Sequence, residues 1–296
     1  MIRLDAATVL LQWATGGLLF LWVTTRRREV GIGYGWLLRS VFAVLAIGSV
    51  LAGRLVRPDS VRDTCAAGVA LTASVALAMS IVRRRAGVAG ERARKQRRSG
   101  RVAAMVGLGE GRRPAAPEGG THDAVPVRPS VREFPPALDV VAPLIGMMGL
   151  IAGALDAGGP HLLAVVRTLV GAAFLGAVTD AMLLGHWYLV QPGLGRDPIF
   201  QLNRWLALLW PAEVAALVWP TGMLSVLSGS VDDGWNGTLG WFWVACALTT
   251  LVLTGVTRAA LRERSYSAVM AATGLLYLAI LTGFGTDLVA RAVLAA

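Results

Sequence analysis

Eight apolar stretches of about twenty residues recur along the chain. At about 1.5 Å per residue, such a stretch crosses a hydrocarbon layer of about 30 Å as a helix. Lipid offers no hydrogen bonds to the backbone, and the stretches are longer and more evenly apolar than the strands of a membrane barrel. The sequence therefore predicts an all-α integral membrane protein, a polytopic bundle of about eight transmembrane helices.

The arginines between the stretches predict how the chain is oriented. The predicted helices cover residues 6–25, 34–55, 64–82, 138–155, 162–190, 199–224, 239–256 and 266–294. Arginine clusters follow the first, third and seventh of them, and such short basic loops face the cytoplasm. We therefore expect a multi-pass protein of the bacterial plasma (inner) membrane, with both termini outside the cytoplasm. The second loop, with Arg54, Arg57 and Arg62, does not follow the pattern.

Composition divides the chain into three parts. Residues 1–82 form a three-helix membrane segment, residues 83–137 a long basic loop rich in Arg, Gly and Pro, and residues 138–296 a five-helix membrane segment. The loop carries few large apolar residues, so we predict a disordered cytoplasmic linker. It holds most of the net charge of +10 and is a candidate for binding anionic lipid. No aromatic residues interleave its bases, which argues against a nucleic-acid partner.

Two acidic residues lie deep within predicted helices, Asp180 in the fifth and Glu213 in the sixth. An ionisable group near the bilayer centre costs a few kcal/mol or more, so it usually faces the bundle interior and marks a pathway or a partner. The loop at 191–198 is short, so the two helices form an antiparallel hairpin. Both acids are then predicted about 15–20 Å from the cytoplasmic turn, with His186 and Arg204 about 6 Å from it.

Helical phase extends this pair into a predicted polar column. Asn203, Trp210 and Glu213 share one stripe of the sixth helix, and Thr179 lies beside Asp180 on the fifth. If the stripe faces the fifth helix, polar groups run from the cytoplasmic surface to mid-membrane. The predicted proton or ligand pathway comprises Asp180, Glu213, His186, Arg204, Asn203, Trp210 and Thr179. The alternative interpretation is buried structural polarity, protonated or internally paired.

Other polar residues receive simpler interpretations. Pro211 is predicted to kink the sixth helix, since it has no N–H to donate to the carbonyl of Ala207. Asp287 and Arg291, four residues apart near the end of the last helix, are predicted to form a surface ion pair. Arg39 and Arg167 are expected to extend to the nearer membrane interface.

The sequence lacks several kinds of chemistry. His161 and His186 lie at opposite ends of one predicted helix and His122 is in the basic loop, which disfavours a bis-histidine haem. No lysine lies in a predicted helix, and no protease, hydrolase or metal-binding motif occurs. We therefore expect no covalently bound cofactor, no metal site and no catalytic motif.

These features favour a non-catalytic membrane subunit or a transporter. The main hypothesis is a proton-path or quinone-interacting subunit of a respiratory or electron-transfer assembly, with membrane lipid and other proteins as partners. A quinone headgroup needs hydrogen-bond partners and proton access, which an acid, a histidine and tryptophans supply. The alternatives are a proton-coupled secondary transporter, and a scaffold or assembly factor whose polar groups set helix register.

Overall fold

The computed structural model describes residues 5–85, 134–191, 194–263 and 265–295. Within these ranges the protein is helical and contains no strand. The chain forms two compact units, Met1–Leu77 with Pro136–Ala296, and Ala78–Pro135. Most of the basic loop lies outside the described residues, so its predicted disorder and lipid binding stay predictions.

The helices found in the described part of the chain match the apolar pattern closely. They are α1 Ala6–Thr25, α2 Ile32–Val56, α3 Ser60–Val82, α4 Leu138–Asp156, α5 His161–Val190, α6 Asp197–Val218, α7 Gly222–Leu227, α8 Thr238–Arg262 and α9 Tyr266–Ala295. Seven of these are long and apolar enough to cross a membrane, all except α6 and α7. The predicted all-α, polytopic membrane fold is confirmed. Orientation and the identity of the membrane stay predictions.

Helix α6 differs from its prediction at the C-terminal end. The apolar stretch was predicted to remain helical to residue 224, but α6 ends at Val218 and the short helix α7 begins at Gly222. Trp219 has an extended backbone, with φ −84° and ψ 144°. The following residue is Pro220, which disfavours the helical conformation of the residue before it and has no N–H for the helix ladder. The proline therefore ends α6.

Helices α1 and α5 are in direct backbone contact at the centre of the larger unit. Helix α1 packs against α2, α4 and α5, and α5 also packs against α6 and α9. A Cβ atom built on Gly16 would lie 1.8 Å from the carbonyl oxygen of Ala172, and one on Gly176 would lie 2.1 Å from the carbonyl carbon of Gly16. Small residues allow membrane helices to approach in this way. The first helices and the later ones thus share one core.

The second loop contains arginines because acidic residues neutralise them. Arg57 binds Asp156 at 2.9 Å. Arg62 is almost fully buried and binds Asp63 at 2.9 Å, as well as Asp5. We call this end of the larger unit the Asp5 end. These acidic partners are the residue before α1, a residue of α3 and the last residue of α4, and they neutralise Arg57 and Arg62 in this loop.

The opposite end of the unit is held by Arg196. Its guanidinium donates to the carbonyl oxygens of Glu263 and Ser265, the latter at 2.9 Å. It thereby joins the loop between α5 and α6 to the loop between α8 and α9. We call this the Arg196 end.

Candidate functional site

Glu213 lies in the interior of the larger unit, near charged residues of α5 and α9. Its carboxyl group is within hydrogen-bonding range of the Asp287 carboxyl, and the guanidinium groups of Arg291 and Arg167 are nearby. Glu213 and Asp287 are both fully buried. Neither Glu213 oxygen, nor Oδ2 of Asp287, receives a hydrogen bond from any donor among the described residues. Two carboxyl groups therefore face each other without a donor between them.

Arg291 connects this carboxyl pair to α5 and α1. Its Nε donates to Oδ1 of Asp287 at 2.6 Å, and its Nη2 donates to the backbone carbonyl of Arg167 at 2.6 Å. With its amide oxygen turned towards Arg291, Gln12 accepts from Nη2 at 3.1 Å and from the backbone N–H of Ala172 at 3.2 Å. The guanidinium is thus fixed by three helices.

Arg167 binds the C-terminal end of α6. Its Nε donates to the carbonyl oxygen of Ala216 at 2.8 Å and its Nη2 to that of Trp219 at 2.7 Å. The last carbonyls of a helix lack intrahelical partners and carry partial negative charge, so a cation stabilises them. The expected extension of Arg167 to the interface is therefore wrong, because the broken end of α6 offers buried acceptors. We call Gln12, Arg167, Glu213, Asp287 and Arg291 the carboxyl cluster.

Gly171 makes room for the carboxyl cluster. A Cβ atom at this position would lie 2.3 Å from Nη2 of Arg291 and 2.6 Å from Oδ1 of Asp287. Gly171 is one turn after Arg167 on the same face of α5. A larger residue there would displace the ion pair from its place against α5.

A narrow polar crevice leads from the Asp5 end towards the carboxyl cluster. Asp5, Arg57 and Asp156 line its outer part, and Gln12 and Arg291 line its inner part. Its volume is about 40 Å³. A cavity needs roughly 10–15 Å³ for each water molecule, so the crevice has room for a few waters. Water can thus reach the guanidinium that holds Asp287.

Asp180 is in a separate place, and the predicted polar column is not formed. Asp180 follows Gly171 by nine residues, which is about 14 Å along α5 and half a turn round to the opposite face. There the hydroxyl of Tyr34 donates to the Asp180 backbone carbonyl at 3.3 Å, and Trp13 donates to Thr179 at 3.0 Å. Asp180 is fully buried, and in the part of the chain that the structure describes neither of its carboxyl oxygens has a hydrogen-bond partner. It faces α1 and α2, whereas Glu213 faces α9.

The stripe of α6 that was expected to face α5 contacts α8 instead. Asn203 donates to the carbonyl oxygen of Thr254 at 3.1 Å, and Trp210 donates to that of Ala247 at 2.9 Å. Sequence spacing had grouped these residues with Glu213 by phase, but Glu213 lies beside Asp287 of α9. Spacing could not identify the neighbouring helix, because α6 packs against both α5 and α8.

The remaining predicted site residues lie at the periphery. His186 is exposed, with Nδ1 3.0 Å from the hydroxyl of Tyr277, and Arg204 is exposed on α6. Pro211 lies within α6 and is also exposed, on a different face from Glu213. These three residues are not part of the carboxyl cluster.

Sequence analysis missed the partners of Glu213, although a signal for them existed. The predicted surface ion pair of Asp287 and Arg291 is wrong in its environment, because Asp287 is fully buried. Arg39 was expected at the interface, but it is buried and binds Asp139 through two hydrogen bonds of 2.8 and 2.7 Å. Each of these arginines lies within a long apolar stretch. A charged residue within a transmembrane helix usually faces the bundle interior and is paired there, even when it lies near a helix end.

Comparison with known proteins gives no further guide to this site: no family model, no curated protein and no solved structure matches the chain. Within the described ranges, no group of three or more His, Cys, Asp or Glu side chains is placed to hold a metal ion.

Proposed function

We propose that the protein is a proton-transferring membrane subunit in which the Glu213–Asp287 pair binds the proton. The contact between these two buried carboxyl groups carries the proposal. Two ionised carboxylates in contact repel each other, and a shared proton converts the repulsion into a hydrogen bond. The pair therefore favours holding one proton.

The arginines make loss of that proton feasible. With one shared proton, the two acids and the two arginines of the carboxyl cluster carry a net charge of +1, and without it they are neutral. Arg291 already binds Asp287 at 2.6 Å, so the ionised pair keeps a compensating charge. A buried group that is acceptable in both states can exchange protons, whereas a carboxyl group surrounded by apolar residues would stay neutral.

The crevice supplies access to the site from the Asp5 end, since its inner part is lined by Gln12 and Arg291. A pocket for a drug-sized ligand has a volume of about 300–1,000 Å³. The crevice, at about 40 Å³, suits water and not a quinone headgroup. Of the two roles predicted from the sequence, we therefore propose the proton path and not quinone binding. A respiratory or electron-transfer assembly is the context proposed for this subunit.

Infrared spectroscopy of the purified protein tests the proton site. The spectrum of wild-type protein minus that of E213Q should contain the carbonyl band of a protonated carboxylic acid, and the band should shift in D2O. D287N should alter the same band. E263Q is the matched control, because Glu263 is exposed in the loop at the Arg196 end, and it should leave the band unchanged.

Proton flux tests the function itself. In vesicles carrying a membrane potential and an internal pH dye, wild-type protein should conduct protons, and E213Q should lower the flux by at least about tenfold. E263Q should conduct as wild type does. Equal fluxes in wild-type and E213Q vesicles, or a wild-type flux no higher than that of protein-free vesicles, would overturn the proposal.

A further inference from the structure

A line of threonine hydroxyl groups, buried or half-buried, runs from the carboxyl cluster towards the Arg196 end. On α8, Thr250, Thr254 and Thr257 occupy one stripe and are all buried. On α9, Thr282 and Thr286 continue from Asp287 towards the same end. Their spacing of three and four residues places each set on one face of its helix. We call these five residues, together with Asn203 of α6, the threonine ladder.

Hydrogen bonds connect the ladder across three helices. The hydroxyl of Thr250 lies 2.8 Å from that of Thr282, which joins α8 to α9. Thr286 donates to the carbonyl of Thr282 at 2.9 Å, and Thr254 donates to that of Thr250 at 2.7 Å. Asn203 of α6 donates to the carbonyl of Thr254 at 3.1 Å. The ladder thus lies where α6, α8 and α9 face each other.

Two polar atoms at the far end of the ladder have no hydrogen-bond partner within the described ranges. They are Oγ1 of Thr257 and Oδ1 of Asn203, and both are buried. Thr257 lies three residues beyond Thr254, to which Asn203 is bonded, so both atoms belong to the same region. Buried polar groups of this kind are usually satisfied by an internal water molecule. They therefore indicate a hydrated site between the ladder and the Arg196 end.

The ladder spans the depth that a second half of a proton path would need. Asn203 and Glu213 are ten residues apart on α6, or about 15 Å. A threonine hydroxyl both donates and accepts hydrogen bonds, whereas a backbone carbonyl only accepts. Apart from the Thr250–Thr282 contact, a proton therefore passes between the hydroxyls through intervening water molecules. The crevice reaches the carboxyl cluster from the other end. Together the crevice and the ladder extend in opposite directions from one buried carboxyl pair.

We infer that the threonine ladder carries protons between the Glu213–Asp287 pair and the Arg196 end of the protein. The inference rests on the proposed function and adds the route by which the site communicates with the second membrane face. The face of α5 that carries Asp180 is the competing route. It is less suited, because Asp180 lies half a turn round α5 from Gly171, on the side away from the carboxyl cluster.

Removing the two hydroxyls that join α8 to α9 tests the inference. T250V/T282V keeps side-chain size and removes the Thr250–Thr282 contact. It should lower proton flux in vesicles by about tenfold or more while leaving the E213Q-sensitive infrared band in place. T72V is the matched control: Thr72 on α3 also donates to a backbone carbonyl, that of Gly68 at 2.7 Å, but lies outside the ladder. It should leave the flux unchanged.

A conservative variant separates a conducting role from a structural one. T250S/T282S retains the hydroxyls and should conduct within about twofold of wild type. Valine and serine variants that lower the flux equally would show that these residues only pack helices, and would overturn the inference.

The proton fluxes of the Glu213 and threonine variants separate a failure of the threonine ladder from a failure of the proposed function. If E213Q abolishes flux but T250V/T282V does not, the carboxyl site stands and the ladder is not its route. If in addition D180N lowers the flux as E213Q does, the route follows the other face of α5. If E213Q has no effect, the proposed function fails and the ladder fails with it.

Discussion

Asp287 and Arg291 form an ion pair of 2.6 Å inside the protein, one turn apart on α9. Their spacing is that of an ordinary surface pair, worth a few tenths of a kcal/mol on an exposed helix. Here Asp287 is fully buried, and the guanidinium also binds the carbonyl of Arg167. The same two residues therefore have a larger role in stability than their spacing alone indicates.

Removing only one partner of this ion pair should lower the stability of the protein. R291M leaves Asp287 buried without its cation, so we expect it to destabilise the protein by about 3–5 kcal/mol. The double variant R291M/D287N removes both charges and should recover part of that loss. Thermal unfolding in mild detergent measures both. Equal losses in the single and the double variant would contradict the expectation.

Alanine at the crossing of α1 and α5 should separate the two helices. A Cβ atom on Gly16 or Gly176 would lie within 2.1 Å of the opposing backbone, which cannot move aside as a side chain can. We expect G16A and G176A each to cost about 1–3 kcal/mol, as overpacked cores do. G255A and G274A are the controls, because no atom of another described residue lies within 4 Å of a Cβ atom at either position. Their melting temperatures should equal or exceed that of wild type.

Lysine should not replace arginine at position 39 without a loss of stability. Nε and Nη2 of Arg39 each donate to one oxygen of Asp139, an arrangement that a single ammonium group cannot reproduce. R39K should therefore cost about 1.5–3 kcal/mol in unfolding free energy although the charge is kept. Arg54 on the same helix is exposed, and R54K should change stability by less than about 0.5 kcal/mol. Similar effects of the two substitutions would contradict the role of the paired geometry.

Asp233 should make the stability of the α7–α8 loop depend on pH. Desolvation by itself would raise the pKa of Asp233, but hydrogen bonds from the backbone N–H groups of Gly237, Trp235, Leu239 and Gly240 outweigh it and hold the pKa below its usual value. The ionised carboxylate therefore stabilises the loop at neutral pH. This contribution is complete above the ordinary aspartate pKa of about 3.9 and is lost as the pH falls through the lowered value.

Two neutral variants test this pH dependence. D233N should lower the melting temperature at neutral pH, and its difference from wild type should shrink in acid. D232N is the control, because Asp232 accepts a single backbone bond, from Gly234, and the control should have the smaller effect. A difference between D233N and wild type that is constant from neutral to acidic pH would rule out the role given to the carboxylate.

Sequence analysis predicted the helices well where one physical requirement decided them. The bounds of α1 agree with the predicted residues 6–25, and α9 begins at the predicted Tyr266. An apolar stretch of sufficient length has one stable state in lipid, and that state depends only on local sequence. Helix α6 was extended too far because its apolar composition continues past Pro220, where the backbone cannot.

Sequence also identified Asp180 and Glu213 as buried, because an acid inside an apolar stretch must avoid lipid. It could not assign their partners, since helical phase relates residues only within one helix. The depth estimate for the hairpin was too coarse as well. From the adjoining helix ends, Asp180 lies ten residues into α5 and Glu213 sixteen residues into α6, a difference of about 9 Å.

The amino-acid sequence by itself determined that this chain is a bundle of membrane helices and that Asp180 and Glu213 lie inside it, because the cost of exposing polar groups to lipid is set residue by residue. Only the tertiary structure decided that Glu213 meets Asp287 and that Asp180 faces α1 and α2. That choice depends on how far each helix is rotated and shifted against its neighbours. Close contacts between distant residues set this rotation, such as Gly16 against Gly176 and Gly171 against Arg291.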